Sequence, residues 1–253
     1  MEQSEYGKHF ELERGHWWFR SRRAAAFGLL RRAVKTGAKT DRILDAGCGA
    51  GINLTELAKR GAAFGCDLSP EALALCRRRG LTRLARADVR RLPYRSESFD
   101  LVTLFDVLYH KEIPDDVEVL REARRVLQTG GLVMMTDSAL ESLRGPHDAV
   151  MQGARRYNKR MLGSRLEEAG FEIVRLSYFF LATLPAVYAK RRLERRRAAR
   201  HPAAAPRSDL APAPRWINSL LSGVLKFEAA WAARRSLPIG SSIIALARKK
   251  ETP

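Results

Sequence analysis

The chain predicts an α/β protein built on a doubly wound, mostly parallel seven-stranded sheet. Three observations carry this. Short apolar runs alternate with amphipathic segments from residue 42 onward. A glycine-rich turn, "DAGCGAG" (45–51), directly follows the first of those runs. The last two strand-like runs, 171–179 and 241–249, are separated by a long stretch of different composition. Strands alternating with helices in this way form a sheet covered on both faces.

In order, "AAAFGLLRRAV" (24–34) reads as a helix with one apolar face, entered through "HWWFRSRR" (16–23). "RILDAG" (42–47) is a buried strand ending in Gly, and "NLTELAKRG" (53–61) a helix with a Gly stop. "AAFGCDL" (62–68) is the second strand. "SPEALALCRRRG" (69–80) is a helix with Ser69 as N-cap, Pro70 in its first turn and Gly80 at its end. "LTRLARAD" (81–88) is a weaker strand, and a strong one starts "FDLVTLFDVLYH" (99–110). An amphipathic helix over 115–131 stops at Gly130-Gly131 before the strand "LVMMTDS" (132–138). A helix at 158–170 and strands at 171–179 and 241–249 complete the core.

The charge is uneven. Residues 1–40 hold 9 basic and 4 acidic side chains, 41–177 hold 22 and 20, 178–237 hold 12 and 3, and 238–253 hold 3 and 1. The +18 excess therefore sits on the flanks of a nearly neutral middle. This divides the chain into an N-terminal helical segment (1–40), an alternating strand–helix core (41–177), a basic amphipathic helical insertion (178–237) and a final strand with tail (238–253). Cys48, Cys66 and Cys76 form no CxxC pair, which argues against a metal site or a disulfide framework. "MEQSEYGKHF" has no signal-peptide core, and the run "YFFLATLPAVYA" is too short to span a bilayer, so a cytoplasmic location is expected.

Gly47, Gly49 and Gly51 follow a buried strand and precede a helix, where a side chain would block close approach of a ligand to the backbone. Asp45 stands at the strand end, and Asp67 ends the next strand, suited to two ribose hydroxyls. Asp88 ends the third strand and Val89 follows it, placed for an adenine edge. A nicotinamide site would want a third glycine at the position of Ile52, and no P-loop Gly-Lys-Ser/Thr run is present. The ligand thus reads as an adenosine without a pyrophosphate.

"ILDAGCGAG", "GCDLSPEAL", "ARADVRRLPYRSESFDLV" and "RVLQTGGLV" resemble the cofactor motifs of class I S-adenosylmethionine-dependent methyltransferases, over about 41–177 plus the last strand. "HWWFRSRR" is similar to the opening of a subgroup in which an N-terminal helix lids the cofactor. The resemblance implies S-adenosyl-L-methionine held by Gly47 to Gly51, Asp67 with Leu68 at the ribose, and Asp88 with Val89 at adenine. It also implies Phe105 near the sulfonium and Arg22 on the cofactor carboxylate. His110, His147 (with Asp148 orienting its ring) and Tyr157 are the candidate acceptor-side residues; Tyr109 stands where many relatives carry Glu. Within 178–237, "KRRLERRRAAR" (190–200) carries seven basic residues and one acid. Trp216, Leu220, Leu221, Val224, Leu225, Phe227 and Trp231 form an apolar stripe farther on. That pairing suits an anionic membrane surface at the inner face, with a small or lipid-linked acceptor. Nucleic acid would meet the same charge, but no reading module accompanies it. An RNA methyltransferase and a non-catalytic cofactor-binding recruiter are the alternatives.

Overall fold

The computed structural model describes residues 3–200 and 209–250. The expected Pro/Ala hinge at 201–215 falls outside this over 201–208. The chain opens with helices α1 (Gln3–Leu12) and α2 (Trp17–Lys35). The core then runs β1 (Arg42–Ala46), α3 (Ile52–Leu57), β2 (Ala62–Asp67), α4 (Pro70–Arg78), β3 (Leu84–Arg86) and β4 (Phe99–Phe105). After these come α5 (Asp116–Val126), β5 (Leu127–Ser138), α6 (Pro146–Val150), α7 (Lys159–Glu168) and β6 (Phe171–Phe179). The insertion forms α8 (Leu184–Arg200) and α9 (Arg215–Ala232), and β7 (Ser242–Lys249) closes the sheet.

The seven strands lie in the order β3-β2-β1-β4-β5-β7-β6. All pairings are parallel except those of β7, which runs antiparallel to both β5 and β6. Alternate strand residues feed two cores. Ile43, Leu101, Met134 and Leu246 point to the face covered by α2 and α9. Leu44, Val102, Met135 and Ala245 point to the face covered by α5 and α7. Because β1 and β4 are neighbours while the chain leaves β1 in one direction and returns at β4 in the other, their carboxyl ends flank the crevice where such sheets bind ligands.

Several element bounds differ from the sequence reading. Helix α2 begins at Trp17, well before Ala24, because the His16 ring caps it by accepting a hydrogen bond from the Trp18 amide at 3.3 Å. Helix α1 lies within the helical segment expected over 1–40, where a polar sequence with little apolar periodicity gave it no bounds. Helix α5 ends at Val126, before the glycines, because Leu127 already pairs with Phe99; Gly130, at φ +76°, serves the irregular start of β5. Strand β3, expected over 81–88, is confined to Leu84–Arg86.

Candidate active site

The glycine turn is shaped by close contacts. Gly47 (φ +77°) and Gly51 (φ +84°) adopt left-handed backbone. A Cβ on Gly47 would lie 2.5 Å from Val107 Cγ2, and one on Gly51 2.7 Å from Cys76 Sγ. The Gly47 and Cys48 amides donate to the Cys66 carbonyl at 2.8 and 2.9 Å, tying the turn to β2. From α4, Cys76 Sγ donates to the Gly49 carbonyl and the flanking Arg79 Nε to the Ala50 carbonyl, at 3.2 and 2.7 Å. The Asp67 carboxylate accepts from the Gly49 amide at 2.8 Å and the Ser69 amide at 2.9 Å. A carboxylate has about four acceptor positions, so this geometry leaves capacity for ligand hydroxyls.

Above the turn lies a cavity of about 750 Å³. Gly47, Gly49, Asp67 and Leu68 line one end, with Asp88 and Val89 beside them. Arg22 and Phe105 line the middle, and His110 and His147 stand on the wall beyond. Helix α1 contributes Tyr6 and His9, with Glu13 just past its end; α2 contributes Trp17 and Trp18, and the insertion contributes Val187, Lys190 and Leu221. A glycine turn open to the cavity, two strand-tip carboxylates and an apolar floor fit an adenosyl group. Among the described residues, no cluster of three His, Cys, Asp or Glu side chains could hold a metal.

Three expected site residues sit off the cavity wall. Tyr157 is fully buried; its hydroxyl donates to Asp116 Oδ2 at 2.7 Å and lies 3.3 Å from the Leu108 carbonyl. The expected acceptor-channel role is corrected to an internal tie, because the phenol is spent on that carboxylate. Asp45 lies beneath the turn, fully buried, accepting from Thr103 Oγ1 at 2.6 Å. Burial pushes its carboxyl up to about 7, partly offset by Thr103 and Arg22. Gly51 caps α3 and packs toward Cys76 and Leu81, acting on the turn rather than on the cavity.

The remaining groups are held by defined partners. Arg22 pairs with Asp106, a residue at φ +56° just past β4, and its guanidinium lies 4.6 Å from the Trp18 ring centre. Trp18 in turn stacks on Phe180 at 6.1 Å and meets Phe19 edge-on at 4.9 Å. Asp88 is clasped by Arg90 (Nη2 to Oδ2 2.6 Å), which holds its carboxyl below the usual range.

His147 is not oriented by Asp148, as expected. Asp148 instead accepts from the Gly145 amide at 2.8 Å and from Arg156 Nε at 2.8 Å. The His147 ring is fixed from the insertion: its Nδ1 accepts from the Asp209 amide at 3.1 Å, and burial lowers its pKa. With Nδ1 accepting, the neutral ring carries its proton on Nε2, so that nitrogen donates instead of abstracting a proton. His110 behaves alike: Nδ1 faces the Glu112 amide at 3.4 Å, and burial lowers its pKa to about 4.

Sequence reading missed the α1 residues, Asp106 and the Asp209 cluster. Asp106 was detectable in principle as an acid at a strand tip, like Asp67 and Asp88. Asp209 was hidden among prolines, and its ion pairs with Lys190 and Arg191 reach back across the hinge to α8.

The methyltransferase-domain family matches residues 44–135, from β1 into β5. The ubiquinone biosynthesis O-methyltransferase of Hahella chejuensis is 36% identical over 96 residues, 35% of this chain and 40% of that protein. The chain thus spans well under half the length of that curated relative. A chain from the Haloferax volcanii complex between the Trm112 methyltransferase activator and a methyltransferase superposes with TM-score 0.62 at 18% identity, covering 99% of this chain and 96% of its own. An S-adenosylmethionine-dependent methyltransferase from Thermotoga maritima gives TM-score 0.59 at 18% identity, covering 98% and 96%. Residues 44–135 thus carry a methyltransferase-domain segment, set in a chain with the class I methyltransferase fold.

Proposed function

We propose that the chain transfers a methyl group from S-adenosyl-L-methionine to a small or lipid-linked acceptor, in the cytoplasm at a membrane face. The observation that carries this is one continuous cavity. It joins the glycine turn, Asp67 and Asp88 at one end to His110 and His147 at the other, under Trp17, Trp18, Val187 and Leu221. The cofactor supplies an electrophilic methyl on a sulfonium, which the acceptor displaces in line. The protein's part is to position two partners and exclude water.

Gly47, Gly49, Asp67, Leu68, Asp88 and Val89 would hold the adenosyl part, and Arg22, released from Asp106, would meet the carboxylate of the methionyl group. With Nδ1 accepting, His147 and His110 would carry their protons on Nε2 at the cavity wall. They orient an acceptor oxygen or nitrogen by donating to it, and neither is posed to remove its proton. An acceptor that already carries an available lone pair, or an acidic hydroxyl such as a phenol, suits this arrangement. Support for lipid attachment comes from the apolar side chains that the insertion adds to the cavity wall.

The test is incubation of the full chain with methyl-labelled cofactor and separate extracts of membrane lipid and total RNA. Label entering a lipid-extract molecule, with a mass gain of one methylene, is expected. Label in RNA would support an RNA acceptor, and cofactor binding with no transfer to any fraction would leave a recruiter.

A further inference from the structure

Helix α9 is apolar on two opposite sides. Leu225, Ala229 and Ala232 are buried in the body of the protein. Trp216, Leu220, Val224, Phe227 and Trp231 are all exposed, Trp216 by 70% and Phe227 by 74%. At about 100° per residue these five fall within roughly 80° of arc, a continuous seam along a helix about 27 Å long. An isolated surface Phe is ordinary; five large apolar groups in one line are not.

The charge beside the seam has one sign. Arg215, Lys226, Arg234 and Arg235 are exposed, and the Arg235 guanidinium lies 5.6 Å from the Trp231 ring centre. The described residues 209–237 hold two acids, and both are engaged elsewhere. Glu228 accepts from the Leu181 and Ala182 amides at 3.0 and 2.8 Å, and Asp209 pairs with Lys190 and Arg191. A second copy would bring the same positive rim against itself in a chain of net charge +18. We propose that this face of α9 docks on an anionic lipid bilayer, lying in the headgroup layer with the five apolar side chains immersed. Leu221, on the same helix and about 100° from the seam centre, lines the cavity. Docking therefore sets the active-site wall within about one helix diameter of the lipid. The proposal rests on the lipid-linked reading above and gives it a route, and it fails separately from methyl transfer.

It is tested by co-sedimentation of the full chain with vesicles of phosphatidylcholine alone and of phosphatidylcholine with phosphatidylglycerol. The expected result is at least about tenfold stronger binding to the anionic vesicles, weakened by added salt. Phe227→Glu lowers that binding on the order of tenfold and Lys226→Glu by a few-fold, while calorimetric cofactor binding stays at the wild-type level. Because both side chains are exposed, circular dichroism of each variant should match the wild type. Wild-type binding by Phe227→Glu, or equal binding to both vesicle types, would overturn the proposal. So would a dimer in sedimentation velocity that Phe227→Glu dissolves, or RNA binding that depends on the seam without vesicle binding.

Discussion

At the scale of single residues, the account rests on what each polar group already holds. Asp67 organises the glycine turn and keeps capacity for two ligand hydroxyls. Hydrogen bonds to a charged group contribute about 1.5–3 kcal/mol each, so Asp67→Ala should weaken cofactor binding by about 10- to 100-fold in calorimetry. His147 is argued to orient the acceptor. His147→Ala should raise the acceptor KM more than it lowers kcat and leave cofactor affinity within about twofold, a smaller kcat loss than the roughly 10²–10⁴ typical of a missing general base. Its lowered pKa gives the sign of the pH dependence: the ring is neutral at and above its ordinary 6.5 and keeps its Nδ1 acceptor there. Activity should therefore hold down to about pH 6.5 and fall only on further acidification. Tyr157→Phe should behave as a core change, costing about 1–3 kcal/mol, or several degrees of Tm, with kcat preserved. The carboxylates at 67 and 88 were legible because acids ending apolar strands are unusual. Tyr157 was misread because a tyrosine after a loop looks the same whether its hydroxyl faces a cavity or, as here, the buried Asp116.

At the scale of elements, the first helix is the clearest case of structure hidden from the sequence. Helix α1 is held by Arg79: its Nη2 donates to Glu13 Oε2 at 3.0 Å and to the Phe10 carbonyl at 3.2 Å, and its guanidinium lies 4.2 Å from the Phe10 ring centre. The same side chain reaches the Ala50 carbonyl in the glycine turn, so one arginine ties α1 to that turn. Arg79→Met leaves Glu13 buried without its partner and should weaken cofactor binding by about tenfold or more, with faster cleavage after Arg14 in limited proteolysis. No local pattern announces this contact, which joins the first helix to the end of the fourth. The basic run at 190–200 shows the opposite limit. The sequence read it as one basic strip suited to an anionic surface, but Arg191 is buried, pairing with Asp209 and donating to the Leu143 carbonyl, while Lys190 pairs with Asp209 from an exposed position and Arg192, Arg196 and Arg197 are exposed. Helical periodicity could assign faces; it could not say which face met a partner beyond the proline-rich hinge.

At the scale of the whole molecule, the alternation of strands and helices made the sheet legible, and the strand-tip acids located the crevice. The reversal of β7 was not legible in residues, because its two antiparallel pairings follow from where the insertion returns the chain. Burial also sets a pH dependence of stability. Asp45 and Glu13 are pushed up to about 7 and Asp137 to about 8, chiefly by burial. Carboxyls raised on folding stabilise fully only below their ordinary values near 4, so their contribution is lost as pH rises from there and is gone above about 7 to 8. His9 and His110, lowered to about 4 by burial, act in the other direction and cost stability as pH falls below their ordinary 6.5. Between about pH 4 and 6.5 the two effects oppose each other; from about pH 6.5 to 8 only the carboxyls still titrate, so Tm should fall over that interval and level off above it, a decline that Asp45→Asn makes shallower. The same sheet and crevice serve other ligands in other doubly wound proteins, so the identity of the ligand is what the account stands on.

Titration calorimetry of the full chain addresses that directly. Saturable binding of S-adenosyl-L-methionine and of its demethylated product, weakened by Asp67→Ala, and no comparable heat with ATP or NAD, is the predicted result. Tight binding of either phosphate-bearing nucleotide, with no heat from the adenosyl sulfonium, would contradict it.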